Sequence, residues 1–434
     1  MPPADKEKKK STGGKEAPIS FQTPKGMRDI LPEEWPLFDR VVGAAKNIGD
    51  FYNFSRIDTP ILEQADLFSR GVGLGTDIVE KEMYVFSTKG GDRLALRPEY
   101  TAPVMRSYIQ HGMSHLPQPR RLWYVGPVFR HENPQSMRYR QFTQFGLEVV
   151  GSADPVFDAE VIIGFYRLLD ELKIKGVSIE VNSIGCKTCR PAYRKKLTDY
   201  YRKQDVCEDC RVRLETNPLR LLDCKNPKCQ PLKEGAPSIL DNLCQNCRQH
   251  FRQVLEYLDE AKVSYVLNPR LVRGLDYYSR TVFETFVEGE AAALASGGRY
   301  DYLAELIGGR STPAVGGAAG IERIMEVLKN KGIMPQSKTK GKVYLIHVGE
   351  VSKKKSLSLV EEFRHAGIPL VNELSKESLS SQMELAAKNN APLTLIFGQK
   401  ESYEDSIIIR DMESGVQEVV PLSKIIEEVK KRLK

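Results

Sequence analysis

The eight cysteines of the chain all lie between residues 186 and 247. They form four pairs, with the sequences CKTC, CEDC, CKNPKC and CQNC. A short spacer lets one tight turn present two thiolates, and tetrahedral zinc needs four such ligands. The pairs predict either two all-thiolate zinc sites or one site with spare thiols, and the alternative is a helical module that buries free cysteines. The candidate ligands are Cys186, Cys189, Cys207, Cys210, Cys224, Cys229, Cys244 and Cys247.

The beginning of the chain bears on the choice between zinc and disulfides. Residues 1–18, MPPADKEKKKSTGGKEAP, contain no hydrophobic stretch of the kind that directs secretion. Paired cysteines without a secretory signal favour metal over disulfides, and we expect a cytoplasmic protein. We expect residues 1–18 to be a flexible, lysine-rich tail, with a weak polyanion-binding arm as the alternative.

Length and charge set broad limits on the function. No apolar run in the 434 residues approaches the roughly 20 that span a bilayer, so we expect no membrane partner. The net charge of +7 permits a nucleic-acid partner without requiring one, because clustering on one face matters more than the sum.

Residue patterns divide the chain into several parts. Strand and hairpin signals in residues 19–184 and 263–329 predict a mainly antiparallel sheet with helices, and segment 185–262, which holds the cysteines, predicts a helical insertion. Residues 330–341 have the composition of a linker. Residues 342–434 alternate strands with helices, as a small α/β domain does. The predicted fold class is therefore α+β.

Segment 121–150 predicts two strands joined by a polar loop. Arg130 ends the first strand, and further arginines follow in the loop. Alternation along the second strand places Phe142, Gln144 and Glu148 on one face of the sheet. Arginine binds phosphate in a bidentate manner, and an aromatic ring can stack on a purine. The segment therefore predicts a nucleotide site, with a solvated polar face as the alternative.

The segment LVRGLDYYSRTVFE, residues 271–284, predicts a strand with an unusual cation. Arg273 lies among apolar residues, and cations are rarely buried without a partner. Alternation would place Tyr277 on the side of Arg273 and Tyr278 on the other, unless Gly274 introduces a bulge. A pre-placed arginine stabilises a developing anion without reorganisation, which predicts a catalytic role. The alternative is a packed strand with an exposed arginine.

Two glycine-rich segments follow, SGGRYDYL and AVGGAAGIERI. Neither has the glycine spacing of a dinucleotide-binding fold or of a phosphate-binding loop. They predict a close approach of the backbone to a ligand, with Arg323 near the start of a helix. A purely structural helix start is the alternative for Arg323.

Taken in order, these segments resemble the motifs of the class II aminoacyl-tRNA synthetases, and among them the histidyl-tRNA synthetases. GPVFRHENPQSMRYRQFTQFGLEVVG is similar to the second motif of the class and GIERI to the third, while LVRGLDYYSRTVFE and SGGRYDYL are similar to segments particular to the histidine enzymes. The likeness runs from TPKGMRDILP, at residues 23–32, to the carboxyl terminus. It implies a class II antiparallel-sheet catalytic core and a C-terminal anticodon-binding domain. It also implies a ligase that activates L-histidine with ATP, releasing pyrophosphate, and then transfers histidine to the 3′ end of tRNA(His).

For the nucleotide, the resemblance implies four contacts. Arg130 would hold the α-phosphate, Glu132 the adenine edge and Phe142 the adenine ring. Arg323 would bind on the γ-phosphate side, and Mg²⁺ would serve the β- and γ-phosphates.

For histidine, the resemblance implies a pocket whose residues are Glu99, Thr101, Gln144, Glu148, Arg273, Tyr277, Tyr278 and Tyr300. The ammonium would lie at Glu99 and Thr101. Glu148 and Tyr278 would bind the two imidazole nitrogens, and the remaining tyrosines would close the pocket.

The catalytic set implied by the resemblance is Arg273, Arg130 and Gln144. Arg273 would stabilise the charge that develops at the α-phosphate. Gln135 and Arg140 would approach the acceptor end of the tRNA in the second step. The resemblance further implies a homodimer.

Three residues depart from the family pattern: Tyr100, Pro103 and Gly317. Tyr100 and Pro103 are larger than the residues that the family more often has at these positions, and we expect them to reshape the amine pocket. Two other functions share some of these features. One is a regulatory subunit of a histidine-biosynthetic phosphoribosyltransferase, whose members typically lack the anticodon-binding domain and the Arg–Tyr-Tyr segment. The other is a sensor of uncharged tRNA that does not aminoacylate it.

Overall fold

The computed structural model describes residues 21–73, 76–133, 137–290, 292–334 and 343–433. The predicted tail 1–18 and part of the predicted linker 330–341 lie outside the described residues. The chain divides into two compact units, Met1–Pro335 and Gln336–Lys434, and each unit has its own sheet and apolar core.

An eight-stranded sheet forms the centre of the first unit. The strands of this unit are β1 Ser55–Arg56, β2 Leu62–Gln64, β3 Val85–Ser87, β4 Arg93–Leu96, β5 Arg120–Phe129, β6 Gln141–Val150, β7 Val177–Ser183, β8 Val266–Leu267, β9 Ser279–Val287, β10 Ala295–Arg299 and β11 Ala314–Gly320. The large sheet has the order β1-β5-β6-β11-β10-β9-β7-β8, and every pairing is antiparallel except those of the short outer strands β1 and β8. The α+β class and its antiparallel core are confirmed.

Helices cover one face of this sheet. The helices of the unit are α1 Trp35–Phe51, α2 Ala65–Val72, α3 Thr101–Gln110, α4 Val156–Glu171, α5 Arg190–Tyr201, α6 Glu208–Thr216, α7 Gln245–Glu260, α8 Leu303–Leu306 and α9 Ile321–Asn330. Apolar side chains of α1, α4, α7 and α9 share a core with Phe145 and Leu147 of β6. Because side chains alternate along a strand, the even-numbered residues of β6 lie on the opposite face. Among the described residues, no helix has both the length and the apolar character that crossing a bilayer requires.

The segment 185–262, which the sequence predicted to be an insertion, consists mainly of helices and turns. It contains α5, α6 and α7 together with short 3₁₀ turns, of which Pro218–Asp223 is the longest. Strands β2, β4 and β3 form a separate three-stranded antiparallel sheet elsewhere in the unit.

Residues 271–278 do not form the strand that their pattern predicted. The chain turns through Gly274 and Tyr277, and β9 begins only at Ser279. Leu271 and Val272 nevertheless belong to the same buried apolar cluster as the insertion. An irregular segment that is buried in this way has the apolar content of a strand, so the pattern alone could not separate the two.

The second unit has a five-stranded sheet of the order β13-β12-β14-β15-β16. Its elements are β12 Val343–His347, α10 Glu350–His365, β13 Leu370–Asn372, α11 Leu379–Lys388, β14 Leu393–Phe397, α12 Gln399–Tyr403, β15 Ser406–Asp411, β16 Gln417–Pro421 and α13 Ile425–Arg432. The first three strands in the sheet order are parallel, and β15 and β16 are antiparallel. These are the strands and helices that the C-terminal pattern predicted.

Candidate active site

The face of the large sheet opposite the helices carries alternate residues of β6 and its neighbours. Gly316 of β11 lies directly opposite Glu148 of β6. A methyl group on Gly316 would collide with the Glu148 carboxylate, and one on Gly146 would collide with the ring of Tyr124. The glycines of this face therefore leave room for an acidic and an aromatic side chain.

A cleft of about 630 Å³ opens on this face. The residues singled out from the sequence that line it are Glu99, Thr101, Arg130, Phe142, Gln144, Arg273, Tyr277, Tyr278 and Arg323. The structure thus brings together side chains from β6, the loop 271–278 and the starts of α3 and α9. Three guanidinium groups, a carboxylate and aromatic rings share one wall, a combination that can bind an anion and a cation side by side.

Glu99 stands at the start of α3 and is 3% exposed. Its carboxylate accepts hydrogen bonds from the backbone N–H groups of Thr101 at 2.6 Å and Ala102 at 2.9 Å. Such contacts are expected because the first N–H groups of a helix have no partner within it. Burial raises the pKa of Glu99, and the two N–H donors oppose that rise. The carboxylate is therefore fixed in position at the wall of the cleft.

Glu148 lies beneath the cleft and is fully buried. Its Oε1 accepts hydrogen bonds from Thr101 Oγ1 at 2.7 Å and from the Tyr124 hydroxyl at 3.2 Å, and its Oε2 accepts one from the Tyr300 hydroxyl. Burial raises the pKa of Glu148 to about 8, although the hydroxyl donors oppose the rise. Thr101 and Tyr124 themselves line the cleft. A ligand in the cleft could therefore contact the Glu148 carboxyl group through either of these hydroxyl groups.

Arg130 and Arg323 lie on adjoining parts of the cleft wall. The guanidinium carbon of Arg130 is 5.4 Å from the centre of the Phe142 ring. Arg323 donates to the backbone carbonyls of Met137 at 3.1 Å and Ala293 at 2.9 Å. Burial and the nearby charge of Arg130 lower the pKa of Arg323. An anion bound between the two guanidinium groups would relieve their repulsion.

Arg273 faces the sheet. It forms an ion pair with Glu284 of β9 and donates to Ser296 Oγ of β10 at 2.7 Å. Its guanidinium carbon is 5.7 Å from the centre of the Tyr278 ring. The side chain is 17% exposed, and the Glu284 carboxylate raises the pKa of Arg273 against the opposing effect of burial. Two strands therefore hold in place a cation that the loop 271–278 supplies.

A narrower recess of about 290 Å³ shares Phe142 and Arg323 with the cleft. Glu132, Arg138 and Tyr139 also line it. Arg138 Nη1 lies 3.3 Å from the Glu132 carboxylate. An aromatic face beside a carboxylate suits a flat ring that carries hydrogen-bond donors on one edge.

The cysteines form two groups of four sulfur atoms. The first tetrad is Cys186, Cys189, Cys244 and Cys247, and the second tetrad is Cys207, Cys210, Cys224 and Cys229. Sulfur–sulfur distances are 3.7 and 3.9 Å from Cys186 to two of its neighbours, and 3.8 Å from Cys207 to Cys224. Four thiolates at about 2.3 Å from a tetrahedral ion lie about 3.8 Å apart, whereas a disulfide bond is about 2.05 Å long. The donor set and its spacing fit zinc. The pairing is nested, because both cysteine pairs of the second tetrad lie, in the sequence, between the two pairs of the first.

Two family models match the chain. The model of histidyl-tRNA synthetase matches residues 26–324, and the model of the anticodon binding domain matches residues 342–432. The chain belongs to the histidyl-tRNA synthetase family. It is accordingly a class II aminoacyl-tRNA synthetase, one of the ligases that use ATP and Mg²⁺.

Known histidyl-tRNA synthetases are similar over nearly the whole chain. The histidine–tRNA ligase of Dehalococcoides mccartyi is 44% identical over 95% of this chain and 100% of its own. The histidine–tRNA ligase of Desulfitobacterium hafniense is 43% identical over 96% of this chain and 99% of its own. The crystal structure of apo histidyl-tRNA synthetase from S. aureus is 32% identical, with a TM-score of 0.79 over 95% of this chain and 100% of that chain. The resemblance stated from the motifs is confirmed.

Four residues predicted for the synthetase site lie around the cleft rather than in its wall. Glu148 and Tyr300 lie beneath it, and Glu132 lines the adjoining recess. Arg140 donates its Nε to the backbone carbonyl of Glu132 at 3.1 Å. Gln135, predicted to approach the tRNA, lies outside the described residues.

The structure explains how the chain accommodates the three residues that depart from the family pattern. Tyr100 is fully buried and stacks on Tyr124, with ring centres 4.0 Å apart. It packs behind Tyr124, and neither it nor Pro103 of α3 is among the residues that line the cleft. Gly317 does line it, and a methyl group there would collide with the buried ring of Phe283.

Three side chains of the site were not singled out from the sequence: Tyr124, Glu284 and Ser296. Tyr124 lies opposite Gly146, and Glu284 lies opposite Ser296, all on the face that carries the cleft. The sequence signal for these three residues is the alternation of side chains along β5, β9 and β10. This alternation shows which residues share the cleft face only when the register between the strands is known.

Proposed function

We propose that the cleft forms histidyl-adenylate from L-histidine and ATP and then passes histidine to tRNA(His). The observation that carries the proposal is that Arg130, Arg273 and Arg323 share one cleft with the buried carboxylate of Glu99. The guanidinium groups suit a triphosphate and an amino-acid carboxylate, and the carboxylate of Glu99 suits an ammonium group. The cleft can therefore hold the two reacting groups, a carboxylate and an α-phosphate, next to each other.

ATP would lie across Phe142. The adenine ring would stack on Phe142 with its amino edge toward Glu132 in the recess, while Arg130 holds the α-phosphate. Arg323, near the start of α9, would bind the γ-phosphate side, and Mg²⁺ would serve the β- and γ-phosphates by offsetting their charge. Support for this pose comes from the recess and the cleft meeting at Phe142 and Arg323.

Histidine would lie deeper, over Glu148. Its ammonium group would bind Glu99 and Thr101, with Gln144 alongside. The imidazole would lie between Tyr278 and the hydroxyl-bonded carboxyl of Glu148, with Tyr277 and Tyr300 closing the pocket. Tyr277 and Tyr300 support this placement, because their ring centres are 5.7 Å apart and both are buried. A pocket that binds both ring nitrogens rejects amino acids lacking them by roughly 10⁴–10⁵.

Arg273 would act in the chemical step, with Arg130 and Gln144 completing the catalytic set. Attack of the histidine carboxylate on the α-phosphorus builds negative charge on the equatorial oxygens as pyrophosphate leaves. A guanidinium already held by Glu284 and Ser296 can stabilise that charge without reorganising.

The other parts of the chain would serve the tRNA. Residues 19–184 and 263–329 would form the catalytic core, with 185–262 as the insertion. Gln135 and Arg140 would approach the acceptor end. Residues 342–434, joined by the linker 330–341, would bind the anticodon; the match to an anticodon-binding domain supports this assignment.

The synthetase would be a cytoplasmic homodimer. Large apolar side chains on and beside the small sheet, including Leu62, Val85 and Phe86, are exposed in the single chain. A group of exposed apolar residues marks an interaction surface. Sedimentation velocity would show a mass of two chains, and a single-chain mass at micromolar concentration would contradict this proposal.

Each cysteine tetrad would hold one zinc ion. Eight thiols arranged in two groups at tetrahedral spacing support this assignment. Zinc bound by four thiolates has no open coordination position, so its role would be structural. Metal analysis of the purified chain would give two zinc ions per chain.

Transfer of labelled histidine to tRNA tests the proposed function. The purified chain should charge a tRNA(His) transcript and leave a transcript for another amino acid uncharged. The alternative functions, a phosphoribosyltransferase regulatory subunit and a sensor of uncharged tRNA, predict no charging. The match to the anticodon-binding domain and the presence of Arg273 in the cleft favour the ligase.

A further inference from the structure

The lobe around the second tetrad, residues 207–229, packs on the loop 271–278. Leu219 and Leu222 of the lobe belong to the same buried apolar cluster as Leu271, Val272 and Tyr277 of the loop. This loop supplies Arg273, Tyr277 and Tyr278 to the cleft. The lobe therefore shares a buried core with the loop that lines the proposed histidine pocket.

Two polar contacts tie the lobe to residues around the loop. Asn217 Nδ2 donates to Asp276 Oδ1 at 2.6 Å, and Arg220 forms an ion pair with Asp77. The backbone N–H of Asp276 in turn donates to the carbonyl of Val72 at 3.0 Å. Asp276 thus links the lobe to the end of α2 at a position immediately before the two tyrosines of the pocket.

The first part of the lobe buries little, whereas residues 218–222, which follow it, are buried in the apolar cluster. Helix α6 has nine residues and buries only Cys210. Isolated helices of this length are marginal in water. The segment from Asn217 to Asp223 connects α6 to Cys224, so both of its ends lead into the second tetrad. A metal ion on the four thiolates would fix both ends of the segment that carries Asn217, in addition to the burial of residues 218–222.

We propose that zinc in the second tetrad positions the loop 271–278 for histidine activation, with Asn217 as the positioning residue that transmits the constraint. The inference rests on the proposed function and goes beyond it, because it makes histidine binding depend on a metal ion that does not touch the substrate. ATP binding depends on Arg130, Phe142 and Arg323, which other elements supply, and is expected to be independent of this ion.

A set of three variants tests the proposal in the full chain. Cys207→Ser should lower the zinc content from two ions to one per chain. It should raise KM for histidine in ATP–pyrophosphate exchange about tenfold or more, because contacts to charged groups in the pocket are lost, while KM for ATP stays within about twofold. Asn217→Ala should keep both zinc ions and still raise KM for histidine. Asn47→Ala removes an exposed amide–carboxylate contact on α1 and should change neither the zinc content nor KM for histidine.

Backbone hydrogen exchange of residues 271–278 gives a readout that does not depend on activity. Exchange in this loop should be faster in Cys207→Ser and in Asn217→Ala than in the unaltered chain. Loss of one zinc ion with unchanged KM for histidine and unchanged loop exchange would overturn the proposal, as would an unaltered chain that holds no zinc at the second tetrad. If the unaltered chain shows no exchange of pyrophosphate, the proposed function fails, and hydrogen exchange still decides the role of the tetrad.

Discussion

Replacement of Glu148 by glutamine tests the electrostatics beneath the cleft. The carboxyl group has a pKa of about 8 in the folded protein, against about 4.3 in an unfolded chain. A folded-state pKa that is raised makes the native state bind more protons than the unfolded state, so stability falls as pH rises from about 4.3 to about 8. Over the interval from pH 5.5 to 8.5, linkage gives a loss of about 3 kcal/mol for this one group.

Glutamine has nearly the same shape and stays neutral. Its single oxygen can accept from Thr101 or from Tyr300, which contact different oxygens of Glu148, and its amide N–H group donates to the other hydroxyl. The stability of Glu148→Gln relative to the unaltered protein should therefore increase by about 3 kcal/mol between pH 5.5 and 8.5. Urea unfolding followed by tryptophan fluorescence measures this, because both tryptophans, Trp35 and Trp123, lie in the first unit.

The exposed Glu260 at the end of α7 provides the matched control. Glu260→Gln makes the same chemical change at an exposed position and should not show the increase of about 3 kcal/mol. A pH-independent difference for Glu148→Gln, or one that shrinks as pH rises, would refute the account of a buried, proton-binding carboxyl group.

Three further experiments test the roles of two cleft residues and the packing beneath the cleft. Arg273→Ala should lower the adenylation rate about 10²–10³-fold while histidine affinity, measured by calorimetry, changes much less; equal losses in both would contradict a transition-state role. Phe142→Leu should raise KM for ATP about three- to tenfold through loss of stacking without altering KM for histidine, and a matching rise for histidine would show that the adenine has been misplaced. Gly316→Ala should cost about 1–3 kcal/mol of stability, because its methyl group would press on Glu148, whereas Gly274→Ala, with nothing within 4 Å of the added carbon, should be nearly neutral; equal costs in urea unfolding would argue against the tight packing.

The parts of the site that lie on regular strands could be predicted from the sequence. Alternation in β6 correctly placed Phe142 and Gln144 on the face that carries the cleft. It gave the side of the sheet for Glu148 but not the depth, because the depth is set by Tyr124 and Tyr300, which cover the carboxyl group. Burial of that kind depends on residues far away in the sequence.

The loop 271–278 and the pairing of the cysteines could not be predicted from the sequence, for a second reason. Apolar residues on both sides of Arg273 resemble a strand, but they are buried because the cysteine lobe covers an irregular loop. The four cysteine pairs could be combined in several ways, and spacing along the chain does not choose among them. The nested arrangement follows from the return of α7 beside the end of β7, a tertiary contact that no local pattern encodes.

Histidine-dependent exchange between ATP and pyrophosphate tests the central claim most directly, with each standard amino acid offered separately to the purified chain. Exchange with histidine alone is expected if, as proposed, the cleft joins an adenylation site to a pocket that binds both imidazole nitrogens. A folded chain that binds ATP and shows no exchange with histidine would contradict it, and so would comparable exchange with several amino acids.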